Sequence, residues 1–334
     1  MPTIKDVAKL AGVGVGTVSN YINGIPVRES NRVKIEAAIK ELDFKANAIA
    51  RSLKTSRTRT IGVVISHLQD IYSATIINSV EYKLSQAGYN TLICNSRGSS
   101  KLEKEKIEAL VERMVDGLII YPCNEDISYL NNVLNGKVPV VTIDNKTINY
   151  PCDQVLTDNA SATYKAVEWL INSNHRRIAI IRPSSHFTMR ERLLGYERAH
   201  HDYSINIDPD LIKTIDSHGR ETYDAVNEIK ALMNISSPPT ALITCNYYST
   251  IEAYKAICDL KINIPNDLSF IGFDNIGLTE LIRPSLSIIV QPMEEMGATA
   301  AALILKRING DLSGFPSILR LKPELIIRES TKRL

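Results

Sequence analysis

The chain has no apolar run near the ~18 residues that a membrane-spanning helix needs. It also lacks a GxSxG nucleophile elbow, a GxxxxGK[ST] phosphate loop, metal-ligand spacing and a matched acid–base pair. These absences weigh against an α/β enzyme, and no cofactor is expected. Cysteine is sparse: Cys94, Cys123, Cys152, Cys245 and Cys258 are odd in number, widely spaced and without a CxxC pair. That argues against a disulfide framework and a zinc site, and leaves core or surface thiols. His200 and His201 are sequence neighbours, so on a helix they point about 100° apart. They make a poor metal pair and read as surface residues. No short repeat and no low-complexity segment is found. The opening MPTIKDVAKL is charged and has no signal-peptide hydrophobic stretch, so a cytoplasmic, membrane-free protein is expected.

What is present is an ordinary globular balance, with 44 % hydrophobic and 23 % charged residues. A wholly disordered chain is excluded, and 334 residues suggest two or three domains. The net charge of +2 hides an asymmetry: residues 1–60 hold 11 Lys+Arg and 5 Asp+Glu, the remainder 28 and 32. A small basic unit joined to a larger, mildly acidic one suggests a DNA-binding head on a sensing body.

The first 45 residues read as helices without a strand. Thr3 followed by Asp6 has the form of an N-cap with an acidic N3 partner, and Ile4, Val7, Ala8 and Ala11 keep helical spacing. Gly12-Val13-Gly14 breaks that helix. Val15, Val18, Tyr21 and Ile22 resume the spacing until Asn23-Gly24. A third helix is predicted over 31–42, with Val33, Ile35, Ala38, Ile39 and Leu42 inward. A helix, a glycine turn and a second short helix on a basic segment form a helix-turn-helix. The competing reading of GVGVG as a dinucleotide loop fails, because a helix precedes it and Thr17 stands where the third glycine belongs.

From Ile61 short apolar runs alternate with helical stretches. The runs fall at 61–66, 91–95, 117–121, 138–143, 177–181, 241–245, 268–273, 286–290 and 324–328. They are mostly Val, Ile and Leu with little alternation, as in strands buried on both faces of a parallel sheet. Amphipathic candidates lie at 71–87, 101–114, 159–173, 220–233, 249–260 and 294–309. Nine strands over ~270 residues predict two doubly wound α/β lobes. Between head and body, NAIARSL is only about two helical turns, too short to be stable alone, and KTSRTRT is a polar basic linker.

TIKDVAKLAGVGVGTVSNYING, NAIARSL, MRERLLGYERA (189–199) and IGFDN (271–275) together resemble the lactose-repressor (LacI/GalR) family of bacterial transcription regulators. The resemblance spans essentially the whole chain. It implies a helix-turn-helix domain at 1–57 with a hinge helix at 47–54, and at 58–334 a two-lobed effector-binding and dimerisation body like periplasmic binding proteins. In the family the start of the second helix, and a residue one turn on, read bases. Here these are Val15, Gly16 and Asn20. Asn20 can bond an adenine edge and Val15 can touch a thymine methyl. Thr17 and Ser19 suit phosphate, and Thr3 belongs to the same surface. Gly14 stands where a serine N-cap is common. By the same resemblance Leu53 is a minor-groove wedge, with Asn47, Ala50 and Arg51 lining the groove and Ala46 replacing a common proline.

For the body, the resemblance implies an effector held beyond strand carboxyl ends. Asp70 and Tyr72 follow the first strand, while His67 reads as a surface residue. Arg192 falls on the family's ligand arginine, Arg190 reads as structural, Arg182 adds a cleft cation and Phe187 covers the edge. Asp274 and Asn246 accept hydroxyls, but Tyr247 replaces a common aspartate. Extra arginine and one fewer acid favour a sugar acid or sugar phosphate, with a neutral sugar next, and a purine or a partner protein as alternatives. The expected protein is a homodimeric repressor of carbohydrate-utilisation genes on a pseudo-palindromic DNA operator. ESTKRL at the end carries no leucine heptad, so no tetramerising coil is expected. A sugar-binding protein of the transport type is the reading of another class.

Overall fold

Thr3 opens the first helix as its residue type predicts. In the computed structural model, which describes residues 2–22, 24–44, 57–184, 186–215, 224–274, 277 and 279–334, the Thr3 N–H and hydroxyl both donate to the Asp6 carboxylate at 2.7 Å. The Asp6 N–H returns to the Thr3 hydroxyl, completing a capping box. Helix α1 (Ile4–Ala11) ends at Gly12, whose φ of +64° is a left-handed conformation that glycine adopts without strain. Helices α2 (Val15–Ile22) and α3 (Glu29–Glu41) follow. The three bury Val7, Ala8, Ala11, Val18, Ile35 and Ala38 together. Val33, expected inward, is 56 % exposed, because the 3.6-residue period carries it off the face shared by Ile35 and Ala38. The chain divides into two units, Met1–Arg59 and Thr60–Leu334. The hinge residues Ala46, Asn47, Ala50, Arg51 and Leu53 lie outside the described residues.

The second unit holds two six-stranded sheets. The first contains β1 (Thr60–Ile65), β2 (Asn90–Asn95), β3 (Gly117–Ile120), β4 (Val140–Ile143), β5 (Asp153–Thr157) and β11 (Ile318–Leu321), in the order β11-β5-β4-β3-β1-β2, all parallel. The second contains β6 (Ile178–Pro183), β7 (Ile212–Ile215), β8 (Ala241–Thr244), β9 (Ser269–Phe273), β10 (Ser287–Val290) and β12 (Glu324–Ile326), in the order β12-β10-β9-β8-β6-β7. Only β12 is antiparallel among its pairings. The helices are α4 (Ile71–Gln86), α5 (Ser100–Glu112), α6 (Leu130–Leu134), α7 (Asn159–Asn172), α8 (Phe187–Asp202), α9 (Val226–Asn234), α10 (Tyr247–Asp259) and α11 (Met293–Ile308).

Nine strands coincide with the apolar runs. The three without a run are β5, β7 and β11. β5 reads DQVLT yet is wholly buried, because Asp153 pairs with Arg307 at 2.7 Å and Gln154 accepts the Thr147 N–H at 3.0 Å. β7 and β11 are edge strands, with Thr214 and Arg320 exposed and Lys213 half-buried. His200, expected at the surface, is 1 % exposed, its Nδ1 2.9 Å from the Tyr196 carbonyl.

The chain crosses between lobes three times. β5 leads into α7, which packs in the second lobe. β10 leads into α11, which packs Met296, Ala300 and Ile304 in the first. β11 leads into β12. Each lobe has one helix pair in close approach. A Cβ built on Gly195 of α8 would lie 2.1 Å from the Ala160 carbonyl of α7, and one on Gly297 of α11 would lie 2.5 Å from the Ile76 carbonyl of α4. Gly195→Ala should therefore force α7 and α8 apart and destabilise the chain by about 1–3 kcal/mol. Urea unfolding measures this, and an unchanged midpoint would show that the pair has slack.

Candidate functional site

A cavity of about 270 Å³ opens between the two lobes at the carboxyl ends of their strands. Asp70, Tyr72, Asn246, Asp274 and Arg192 all line it. Arg182 does not. Its guanidinium reaches only the Pro183 carbonyl at 3.4 Å, and its Nε has no partner among the described residues. Phe187 is buried rather than at the rim, and His186, Thr188 and Met189 take the wall instead. His67, expected to stay clear, is exposed yet stands on the cavity wall.

Among the lining residues that the sequence reading did not single out, two stand directly after strands and bond to its candidates. Asp144 follows β4 and Gln291 follows β10. Both obey the strand-end rule that found Asp70 and Asp274, so applying it to every strand would have caught them. Asp144 and Asp274 are equivalent in the two lobes. Each comes directly after its strand with φ of +72° and +74°, and each donates its N–H to the next strand, to Val155 at 3.0 Å and Ile289 at 2.8 Å. Aspartate tolerates this left-handed backbone better than most residues. It turns both carboxylates into the cavity.

Each acid is anchored by the protein. Asp70 caps α4, accepting the Tyr72 N–H at 3.2 Å. The Tyr72 hydroxyl donates to Asp144 at 2.9 Å. Asp274 accepts the Tyr247 N–H at 3.0 Å at the start of α10, and the side-chain amide of Gln291. Asn246 caps the same helix through Ser249 at 2.8 Å. Arg192 is committed to the fold: its Nε donates to Asn159 at 2.7 Å, its Nη1 donates to the Cys245 carbonyl, and its guanidinium lies 3.7 Å over the Phe273 ring. Three carboxylates thus face a single guanidinium already held by the protein.

Burial raises the carboxyls of Asp144 and Asp274, with Arg192 pulling both back. Asp70 is pushed up to about 6, by burial first, with Asp274 and Asp144 adding repulsion against the Tyr72 N–H. Cys123 also lines the cavity, with its thiol pushed up to about 12 by burial, so it is no ready nucleophile. No group of three or more His, Cys, Asp or Glu able to hold a metal ion occurs among the described residues. None of the described helices is long and apolar enough to cross a membrane.

The raised Asp70 carboxyl binds its proton more tightly folded than unfolded. It therefore favours the fold at low pH, and that advantage is lost as pH rises through about 6. Asp70→Asn keeps a good N-cap and removes the buried charge. The variant should melt higher than the unaltered chain at pH 7.5, with the gap closing by pH 4.5. A gap that does not depend on pH would show that Asp70 carries no such shift.

On the head, Val15, Gly16 and Asn20 are exposed on α2, Thr17 and Ser19 are half-buried, and Val18 faces the core. Thr3 is exposed, with its hydroxyl engaged in the α1 cap.

Comparison with known proteins agrees with both halves. Residues 3–47 match the bacterial regulatory proteins of the lacI family, and residues 167–331 match the periplasmic binding protein-like domain. The chain is 34 % identical to the HTH-type transcriptional repressor PurR of Histophilus somni (strain 2336), over 100 % of both chains. It is 32 % identical to the ribose operon repressor of Haemophilus influenzae, over 99 % of this chain and 98 % of that one. Among solved structures, a lac repressor dimer bound to operator and the anti-inducer ONPF shares the fold, with a TM-score of 0.86 at 24 % identity over 99 % of each chain. A LacI family regulator from Enterococcus faecium with bound ribose superposes with a TM-score of 0.71 at 27 % identity, over 82 % of this chain and 99 % of that one. The chain belongs to the LacI family of bacterial regulatory proteins and is a DNA-binding transcriptional repressor.

Proposed function

We propose that the cleft takes a small, uncharged, hydroxyl-rich effector, a neutral monosaccharide, whose occupancy sets the affinity of a homodimer for its operator. The observation that carries this reading is the charge inventory of the cavity. Asp70, Asp144 and Asp274 offer acceptors, while Arg192 is already held by Asn159 and Cys245. Hydroxyl donors suit three carboxylates, and an anion would face their repulsion. The preference for a sugar acid or sugar phosphate rested on an extra arginine and one fewer acid, but Arg182 is not on the wall and Asp144 is. The ribose operon repressor and the ribose-bound regulator among the relatives make D-ribose the first compound to try. A purine base is the second reading, suggested by the full-length PurR relatives.

Two heads would occupy half-sites of a pseudo-palindromic operator of carbohydrate-utilisation genes, α2 entering the major groove. Asn20 and Val15 read base edges, Gly16 leaves its position open, and Thr17 and Ser19 hold phosphate. Thr3 serves the cap of α1. Asn47, Ala50 and Arg51 line the minor groove beside the Leu53 wedge.

Thermal unfolding against D-ribose, gluconate, ribose 5-phosphate and hypoxanthine tests the effector class. At ~100 times its dissociation constant a ligand adds about 2.7 kcal/mol. A shift with ribose alone is expected, whereas a shift confined to gluconate or ribose 5-phosphate would sink the neutral-sugar reading. For DNA, Asn20→Ala should weaken binding to a duplex selected in vitro by about 1–3 kcal/mol and relax preference at one base pair. Unaltered affinity and preference would remove Asn20 from base readout.

A further inference from the structure

Arg192 and Asp274 are joined by a chain of hydrogen bonds that leaves the cavity and passes through two of the three interlobe crossings. Starting from Asp274, its carboxylate accepts from the Gln291 amide, at the crossing between β10 and α11. The Gln291 carbonyl oxygen accepts from the Thr157 hydroxyl at 2.9 Å, at the last residue of β5. The Thr157 backbone carbonyl accepts from the Asn159 amide at 3.2 Å, at the first residue of α7. The Asn159 side-chain oxygen accepts from Arg192 Nε at 2.7 Å. The guanidinium lies over Phe273, the neighbour of Asp274, and closes the circuit. Thr157 and Asn159 are 0 % exposed, Gln291 and Arg192 3 %. Neither Thr157 nor Asn159 lines the cavity.

In such a buried circuit a lost partner leaves a poorly satisfied group: the Thr157 hydroxyl has only the weak Met296 sulfur, at 3.4 Å, besides Gln291. Any change in angle between the lobes must be absorbed at the crossings, because these are the covalent links between them. Arg192 and Asp274, on the second-lobe side of the cavity, are therefore fastened to the crossings.

We propose that Thr157 and Asn159 are positioning residues that couple the effector cleft to the lobe angle, so that the crossings respond when a ligand bonds Asp274 beside the fixed Arg192. The proposal rests on the cleft being the effector site. Gln291 uses both ends of its amide in this role, donating to Asp274 and accepting from Thr157.

The test uses the full chain, D-ribose as probe and a duplex selected in vitro for binding to it. Ribose affinity is read by calorimetry, and coupling is read as the ratio of duplex affinity with and without ribose. Coupling factors of roughly 5–150 are typical. Thr157→Val keeps the shape and removes the hydroxyl. It should leave ribose affinity within about 3-fold and bring the coupling factor below about 3. Thr157→Ser keeps the hydroxyl and should restore the coupling. Full coupling in Thr157→Val, or equal loss in Thr157→Ser, overturns the proposal. A chain whose duplex affinity ignores ribose before any substitution overturns the cleft reading, and this proposal with it.

Discussion

Three passages of one chain between two lobes impose the constraint on which the rest of the second unit depends. A crossing has to leave one sheet and enter the other without stranding backbone or side-chain polar groups away from water. The sequence meets this with polar residues at the points of passage. Thr157, Asn159 and Gln291 are buried yet bonded to one another or to groups from both lobes. The Tyr72 hydroxyl, 2.9 Å from Asp144 and 3.4 Å from Gln291, brings the first lobe to the same point. The cavity follows from this arrangement: the strand ends point towards the crossings, and their side chains line the space left between the lobes.

The two lobes repeat each other in backbone more than in sequence. Asp144 and Asp274 end equivalent strands with the same left-handed turn and the same N–H donation to the next strand. The close helix pairs repeat as well, α4 with α11 and α7 with α8, each admitting a glycine where the other helix offers a carbonyl. Only backbone geometry and one small residue per pair are constrained, so the surrounding letters are free to differ. The sequence accordingly shows no internal repeat.

The central strands were legible because burial on both faces demands unbroken Val and Ile runs, as in IGVVI and ALIT. β5 was not, since its buried Asp153 and Gln154 are neutralised by Arg307 and Thr147, 154 and 7 residues away. Edge strands β7 and β11, IKTI and ILRL, are only four residues long and are interrupted by Lys213, Thr214 and Arg320, so neither forms an unbroken apolar run. In the head, capping chemistry is local, so Thr3, Asp6 and Gly12 could be read one turn at a time. In the cleft, Asp70, Tyr72, Arg192, Asn246 and Asp274 line one cavity. Asp144 and Gln291 went unread because the family resemblance marks other strand ends, although each stands directly after its strand. Arg182 was misplaced because a guanidinium's reach exceeds what spacing along the chain can resolve.

A ligand shifts an equilibrium only by its difference in affinity for the two states. Contacts confined to one wall of the cleft move rigidly with that lobe and contribute nothing to the difference. Asp70, Tyr72 and Asp144 stand on the first-lobe wall, Arg192, Asn246 and Asp274 on the second. An effector that changes operator affinity must therefore bond across, and several hydroxyls spread around one ring do this better than a single charged head at one end. The Asp70 carboxyl is raised by burial first, and Asp274 adds repulsion across the cleft. A donor set between them replaces that repulsion with hydrogen bonds only when the lobes are close enough for both to reach. The acidic lining on both walls thus suits a ligand whose hydrogen-bond donors reach from one lobe to the other.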